Sequence, residues 1–115
     1  MGMEERGRFP ARRAALLDAH DAIGETHARL KSDSSALIAQ REHRDNLIEH
    51  RDALARFHDD LGALPDSQRP RLELTNAVSE TEFMLDETLE TIERSREAWK
   101  HATDAWQRVR ERLDR

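Results

Sequence analysis

The sequence predicts an all-α protein, an antiparallel helical bundle or coiled coil of three helices with a long third helix. Ala, Glu, Lys, Leu and Arg make up 60 of its 115 residues, a composition typical of long helices. Apolar residues recur at every seventh position, as they do along helices that pack against other helices. The segment 65–70, with a proline at each end, separates two such stretches and predicts a loop. A short loop between long helices makes them antiparallel.

The clearest seven-residue repeat predicts the third helix, over about 70–114, where no glycine or proline follows Pro70. The residues of its seam, the stripe that faces other helices, are Val78, Leu85, Ile92, Trp99, Trp106 and Leu113. The adjacent seam position carries smaller residues such as Thr81 and Ala102, which let a partner helix approach closely. We therefore expect the six large residues to form an interaction surface.

The first helix is predicted over about 12–31 and the second over about 35–62, with a turn at Ser32–Ser35 between them. The serines and the aspartate of that turn are poor helix formers and good N-cap residues. Because no glycine or proline stands there, a two-helix hairpin with one continuous helix through 10–62 stays open as the alternative. Gly62 is suited to cap the end of the second helix.

Residues 1–8 are predicted to be a flexible N-terminal tail, because charged residues surround two glycines there. Pro10 fits the first turn of a helix, where its missing N–H costs nothing. Residues 9–115 are predicted to form a single helical-bundle domain, since a chain of this length suits one domain.

Charge patterning favours three helices over the hairpin. Segment 73–93 carries seven acids and no base, and the start of the first helix is basic. An up-down-up bundle places these two segments side by side, whereas a hairpin would set the basic start against the basic C-terminus. The third helix, at about 67 Å, would then extend past the second, at about 42 Å, and expose its C-terminal end.

A short repeat, Glu-His-Arg-Asp, occurs twice within the second helix. His43 and His50 are predicted to lie along one edge of its leucine face with their polar ends in solvent, and Arg44 and Arg51 along the other edge. The two arginines are expected to set the register of the hairpin through ion pairs with acids of the third helix. The candidate acids are Glu82, Asp86 and Glu93.

Histidines nevertheless suggest a metal-binding or pH-responsive bundle as an alternative function. His20 and His27 of the first helix, with His43, His50 and His58 of the second, fall on or beside inward-facing stripes. Histidines seven residues apart lie about 10 Å apart and cannot share one ion, and His-Glu-x-x-His is absent, so no metal ligand is predicted. We expect His20 and His27 to be buried without an acid beside them, which would make assembly weaker at pH 5.5 than at pH 7.5.

Composition and motifs exclude several functional classes. The chain has no cysteine, no glycine-rich phosphate loop and no activated nucleophile, so neither an enzyme nor a cofactor site is predicted. No apolar run approaches the roughly 20 residues of a membrane span, and no signal peptide is visible, so we expect a cytoplasmic protein without membrane association. A nucleic-acid-associated protein remains a further alternative, but a net charge of −5 and the absence of a groove-reading motif disfavour it.

The sequence therefore predicts a non-enzymatic structural or adaptor protein that acts through coiled-coil helix-to-helix contacts. Its expected partners are itself, as a homo-oligomer, and another helical protein. The residues expected to make these contacts are the six large seam residues of the third helix together with Arg44 and Arg51.

Overall fold

Three helices account for nearly all of the chain, as the seven-residue repeats predict. The computed structural model describes residues 2–33 and 36–114, with side chains from residue 8 onward. The helices are α1 (Gly2–Asp33), α2 (Leu37–Leu61) and α3 (Gln68–Leu113). Within the described residues there is no strand, and no helix is both long and apolar enough to cross a membrane. The prediction of a three-helix bundle with a long third helix is confirmed.

The segment between α1 and α2 decides against the two-helix alternative. Ala36 precedes α2 with φ −50° and ψ 143°, which is extended rather than helical backbone. Helix α1 therefore does not continue into α2, and the two lie antiparallel. Ser32 still belongs to α1, and positions 34 and 35 of the predicted turn lie outside the described residues.

Helix α1 begins earlier than the sequence predicted. It includes residues 2–8, which were expected to form a tail, and Pro10 lies inside the helix rather than in its first turn. The fixed φ of proline is compatible with a helix, but at an interior position the ring removes one backbone hydrogen bond and crowds the carbonyl four residues earlier. The glutamates and arginines around it have high helix propensity.

The apolar core is concentrated near the loop between α2 and α3. Its fully or largely buried members are Leu54, Phe57, Leu61, Leu74 and Ala77. Phe9 of α1 stacks on Phe57 with ring centroids 5.4 Å apart, and the Arg12 guanidinium lies 4.7 Å from the centre of the same ring. These contacts hold the start of α1 beside the α2–α3 loop.

Charge complementarity between α1 and α3 is present where the up-down-up arrangement places it. Arg13 Nε lies 3.7 Å from Glu73 Oε2, so the basic start of α1 faces the acidic part of α3. An exposed pair of this kind contributes about 0–1 kcal/mol and mainly favours one register.

The C-terminal part of α3 extends beyond the other two helices. The 46 residues of α3 span about 69 Å, against about 37 Å for the 25 residues of α2. The whole molecule measures 79 × 20 × 20 Å. From residue 96 to residue 114 every side chain is exposed except that of Thr103, which is half-buried. We call residues 97–113 the projecting segment.

Candidate functional site

The seam of α3 divides into a packed part and an exposed part. Val78 is half-buried, and Leu85 and Ile92 are buried inside the bundle. The exposed members of the seam, with the exposed fraction of each residue, are Trp99 (71%), Trp106 (63%) and Leu113 (77%), and Val109 (48%) lies beside them at the adjacent seam position. We call these four residues the projecting stripe. Of the six seam residues predicted to form an interaction surface, only the last three are open to a partner.

The borders of the projecting stripe carry cations and small residues. At 100° per residue, Arg96 and Arg110 lie along one border. Ala98, Ala105 and Arg112 lie along the other. The acids of the segment lie on the opposite face: Glu97, Asp104 and Glu111. A helix that packs on the stripe therefore meets positive charge at its edges and small residues that permit close approach.

Arg44 and Arg51 do not reach across to α3, and that prediction was wrong. Arg44 is bound to Asp45 at 3.0 Å, and Arg51 is bound to Asp52 at 3.2 Å, so each arginine pairs with the next residue of its own helix. Both side chains are about one-third exposed. A carboxylate one residue away requires less ordering of a long side chain than one on another helix, which favours the local pair.

The interior between the three helices contains two polar layers instead of a continuous apolar seam. Each layer combines one histidine of α1, one histidine of α2 and a glutamate–threonine pair of α3. The His20 layer contains His20, His50, Glu80 and Thr81. The His27 layer contains His27, His43, Glu87 and Thr88. Because equivalent residues are seven apart, the layers lie about 10 Å apart along the bundle.

In the His20 layer, one imidazole is bonded at both nitrogens and the other is not. His20 Nε2 lies 2.8 Å from Glu80 Oε2, and His20 Nδ1 lies 3.1 Å from Thr81 Oγ1. The His50 ring stacks beside His20, with centroids 5.4 Å apart and planes 16° apart. His50 Nε2 is buried and has no hydrogen-bond partner among the described residues. Most buried polar atoms have a hydrogen-bond partner that offsets the free-energy cost of their removal from water, and this nitrogen has none there.

In the His27 layer, the two imidazoles are bonded to each other. His27 Nδ1 lies 3.0 Å from His43 Nε2, and His27 Nε2 lies 3.2 Å from Glu87 Oε1. Thr88 Oγ1 lies 3.5 Å from His27 Nδ1. Lys31 Nζ approaches the other oxygen of Glu87 to 2.6 Å, so this carboxylate joins a lysine and a histidine of α1 to α3.

The α2 histidine of each layer has a lowered pKa. Burial lowers the pKa of His43, and the facing His27 ring lowers it further. Burial likewise lowers the pKa of His50, with an added contribution from His20. Hydrogen bonds from Lys31 and then from His27 hold the pKa of Glu87 below its ordinary value. The α2 histidines are therefore kept neutral beside an α1 histidine that faces a carboxylate.

Two sequence-based expectations about the histidines were wrong. His43 and His50 do not extend into solvent: they are 3% and 7% exposed. His20 and His27 do have acids beside them, Glu80 and Glu87, which come from α3 rather than from α1 itself. The expectation considered neighbours along one helix, whereas the carboxylates arrive across the helix interface.

The layers could have been found by counting from the predicted turns. His20 and His50 stand fifteen residues either side of position 35, and His27 and His43 stand eight residues either side of it. Counting outward from the loop at 65–66 brings the same α2 histidines level with Thr81 and Thr88. Both layers are found when the counting from the turns is applied to the histidines and threonines as well as to the leucines.

Among the described side chains, those of residues 8–33 and 36–114, no group of three or more His, Asp or Glu residues is arranged to hold a metal ion. His58 lies apart from the layers, half-buried and 3.5 Å from Asp59. Buried threonines complete the layers instead: Thr81 and Thr88 each bond the carbonyl four residues earlier at 2.8 Å.

No protein-family model matches this sequence, and comparisons with curated proteins and with solved structures found no significant match. The functional proposals therefore depend on the geometry of the projecting stripe and of the two histidine layers.

Proposed function

We propose that the protein is a non-enzymatic structural or adaptor protein of the cytoplasm that associates with itself, and with other helical proteins, through coiled-coil contacts. The observation that carries this proposal is the projecting stripe. Its two tryptophans and two aliphatic residues lie along one face of the projecting segment and are 48% to 77% exposed. Within the described chain, only Trp99 of these four lies near another helix, beside Leu37 and Arg41 at the start of α2.

Large exposed apolar residues in a continuous row favour a protein partner over solvent. Scattered apolar residues are normal on a surface, but a contiguous apolar patch with a polar border usually marks an interaction site. Trp99 and Trp106 are separated by two helical turns, about 10 Å, and tryptophan is among the residues that contribute most to binding free energy. The intervening small residue, Ala102, leaves room for the backbone of a second helix.

The test measures the mass of the protein in solution by sedimentation over a range of concentrations. The native chain is expected to be larger than a monomer, and W99E/W106E is expected to return it to the monomer. The matched control is H101E/Q107E, which adds the same two charges to exposed positions of the same segment away from the stripe. A native chain that stays monomeric at high concentration contradicts the proposal.

A second candidate function, a pH-responsive bundle, is favoured by the two histidine layers. Their four imidazoles link α1 to α2, and the α2 members, His43 and His50, are buried with a lowered pKa. Protonation of His43 and His50 is therefore less favourable in the folded bundle than in the unfolded chain, and acidification is expected to lower the free energy of unfolding. The free energy of unfolding at pH 5.5 and pH 7.5 tests this candidate independently of association.

A further inference from the structure

A shallow groove runs between α1 and α3 on the side of the bundle away from α2. Two small residues, Gly24 and Ala28, lie on its α1 side among polar ones, and Phe83, 64% exposed, lines its α3 side. The α1 residues that line the groove span about two helical turns. It is an open surface on which apolar and acidic side chains lie next to each other.

We infer that the projecting segment of one copy docks in the α1–α3 groove of a second copy, in a head-to-tail contact. This inference rests on the proposed self-association and specifies its geometry. The docked segment adds a fourth helix to the three-helix bundle of its neighbour and covers Trp99 and Trp106 against Phe83 and the small residues of α1.

Charge complementarity supports this occupant. Four carboxylates line the groove, and within the described residues no lysine or arginine lines it. The four carboxylates belong to Asp21, Glu25, Glu80 and Glu87. Glu87 is already paired with Lys31 and His27, so the other three are the ones that can meet a cation from outside. The Glu80 side chain is 68% exposed although one of its oxygens bonds His20, so it can still meet a cation. The arginines that border the projecting stripe supply the opposite charge.

The same arginines disfavour antiparallel pairing of two projecting stripes. In an antiparallel pair of helices that matches Trp106 with Ala102 of the second copy, the border positions Arg96 and Arg110 face each other. Like charges across a helix interface oppose association. A stripe that docks against carboxylates avoids this repulsion.

Gly24 is an independent observation that points to the same groove. Its backbone is ordinary helix without a positive φ, and a Cβ built on it would meet no atom within 4 Å. The fold of one copy therefore does not require glycine here, although glycine in a helix costs about 1 kcal/mol relative to alanine. Absence of a side chain at this position permits close approach of a large side chain from outside, such as a tryptophan.

The test combines two variants that each lose one side of the contact. W99E/W106E removes the projecting stripe, and G24L fills the groove at a position where an added Cβ meets no neighbour within 4 Å. The control is A22L, an exposed position on the opposite side of α1. Circular dichroism checks that each variant remains helical, with G24L expected to melt no lower than the native protein.

Each variant alone is expected to be monomeric, with a dissociation constant at least about tenfold weaker than native. W99E/W106E loses the tryptophan anchors, and G24L loses the space that receives them. An equimolar mixture is expected to form a 1:1 dimer, because one variant keeps the groove and the other keeps the stripe. A22L is expected to associate as the native chain does.

The other outcomes overturn the inference in distinguishable ways. If G24L associates like the native chain while W99E/W106E does not, the stripe binds elsewhere and the proposed self-association survives. A mixture of the two variants that stays monomeric also overturns the head-to-tail contact. A native chain that is monomeric overturns both this inference and the proposed function.

Discussion

His27 Nδ1 and His43 Nε2 lie 3.0 Å apart and share one hydrogen bond, which has room for a single proton. Their ring centroids are 5.2 Å apart and their planes differ by 29°, the separation expected of two imidazoles joined edge to edge. If both rings were imidazolium ions, two N–H groups would point at each other. The pair can therefore take up one proton while α1 and α2 stay in contact, and a second proton forces the rings apart.

The first prediction is that stability decreases on mild acidification. The pKa values of His43 and His50 are lowered in the folded state, so the unfolded chain binds more protons below its own histidine pKa of about 6.5. The stabilisation is complete above that pH and is lost progressively as the pH falls toward the lowered values. The free energy of unfolding, measured by denaturant titration from pH 7.5 to pH 5.5, should fall by at most about 1.4 kcal/mol per pH unit for each histidine.

The control for this experiment separates the layers from other titrating groups. H43Q/H50Q should flatten the dependence between pH 7.5 and pH 5.5, whereas H101Q, at an exposed position of the projecting segment, should leave it unchanged. Glu87, whose pKa is lowered by Lys31 and His27, loses its contribution only as the pH falls through its ordinary value of about 4.5 and below. A pH-independent native protein, or an unchanged slope in H43Q/H50Q, would rule out the layers as the source.

The second prediction compares the two α2 histidines, which undergo the same chemical change in different hydrogen-bond environments. H50L removes a buried nitrogen without a partner, so the free energy of unfolding at pH 7.5 should stay equal or rise. H43L removes the bond to His27 and should cost about 0.5–1.5 kcal/mol relative to H50L. Equal effects of the two substitutions would show that the hydrogen bond between His27 and His43 does not contribute.

The sequence contains enough information for the helices and their order but not for their polar interior. Seven-residue spacing identified α3 and its exposed end, because the repeat consists of large apolar residues within one helix and can be recognised without knowing the other helices. Pro65 and Gly62 gave the boundary after α2 to within a residue, as turn chemistry is local. The start of α1 was misjudged because Pro10 is compatible with either the first turn or the interior of a helix.

The site was predicted only where it depends on one helix. Exposure of Trp99 and Trp106 follows from the unequal lengths of α2 and α3, which are readable from sequence. The pairing of His20 with Glu80, by contrast, joins residues sixty positions apart and depends on the register of three helices together. For the arginines the error was the opposite one: a contact with α3 was predicted, whereas Arg44 pairs with Asp45, the next residue of its own helix.

The third prediction concerns Arg44 and Arg51. Because each pairs only with a neighbouring aspartate and is partly exposed, R44Q and R51Q should each change the free energy of unfolding by less than about 1 kcal/mol. L47A, at a fully buried position of the same helix, should cost about 2–5 kcal/mol and serves as the reference for a core contact. A loss of several kcal/mol in either arginine variant would contradict a local, solvent-screened pair.

The last prediction is that α1 opens before the α2–α3 hairpin does. Among the described side chains of α1, only His20 is buried, and its contacts there are polar. The hairpin by contrast buries leucines along its length, including Leu47, Leu54 and Leu74, each worth about 1.5–3 kcal/mol of apolar burial. Segments with few buried apolar contacts open locally at a lower free energy than the global transition.

Amide hydrogen exchange at pH 7.5 measures this difference directly. Protection factors for residues 13–30 of α1 are expected to be lower than those for residues 47–61 of α2 and 74–92 of α3. At pH 6, after correction for the intrinsic exchange rate, α1 should lose further protection relative to the hairpin, because protonation of His43 and His50 favours the open form. H43Q/H50Q should not show that additional loss. Equal protection in all three helices would mean that α1 is released only by global unfolding, and the histidine layers would then act on the stability of the whole bundle rather than on one helix.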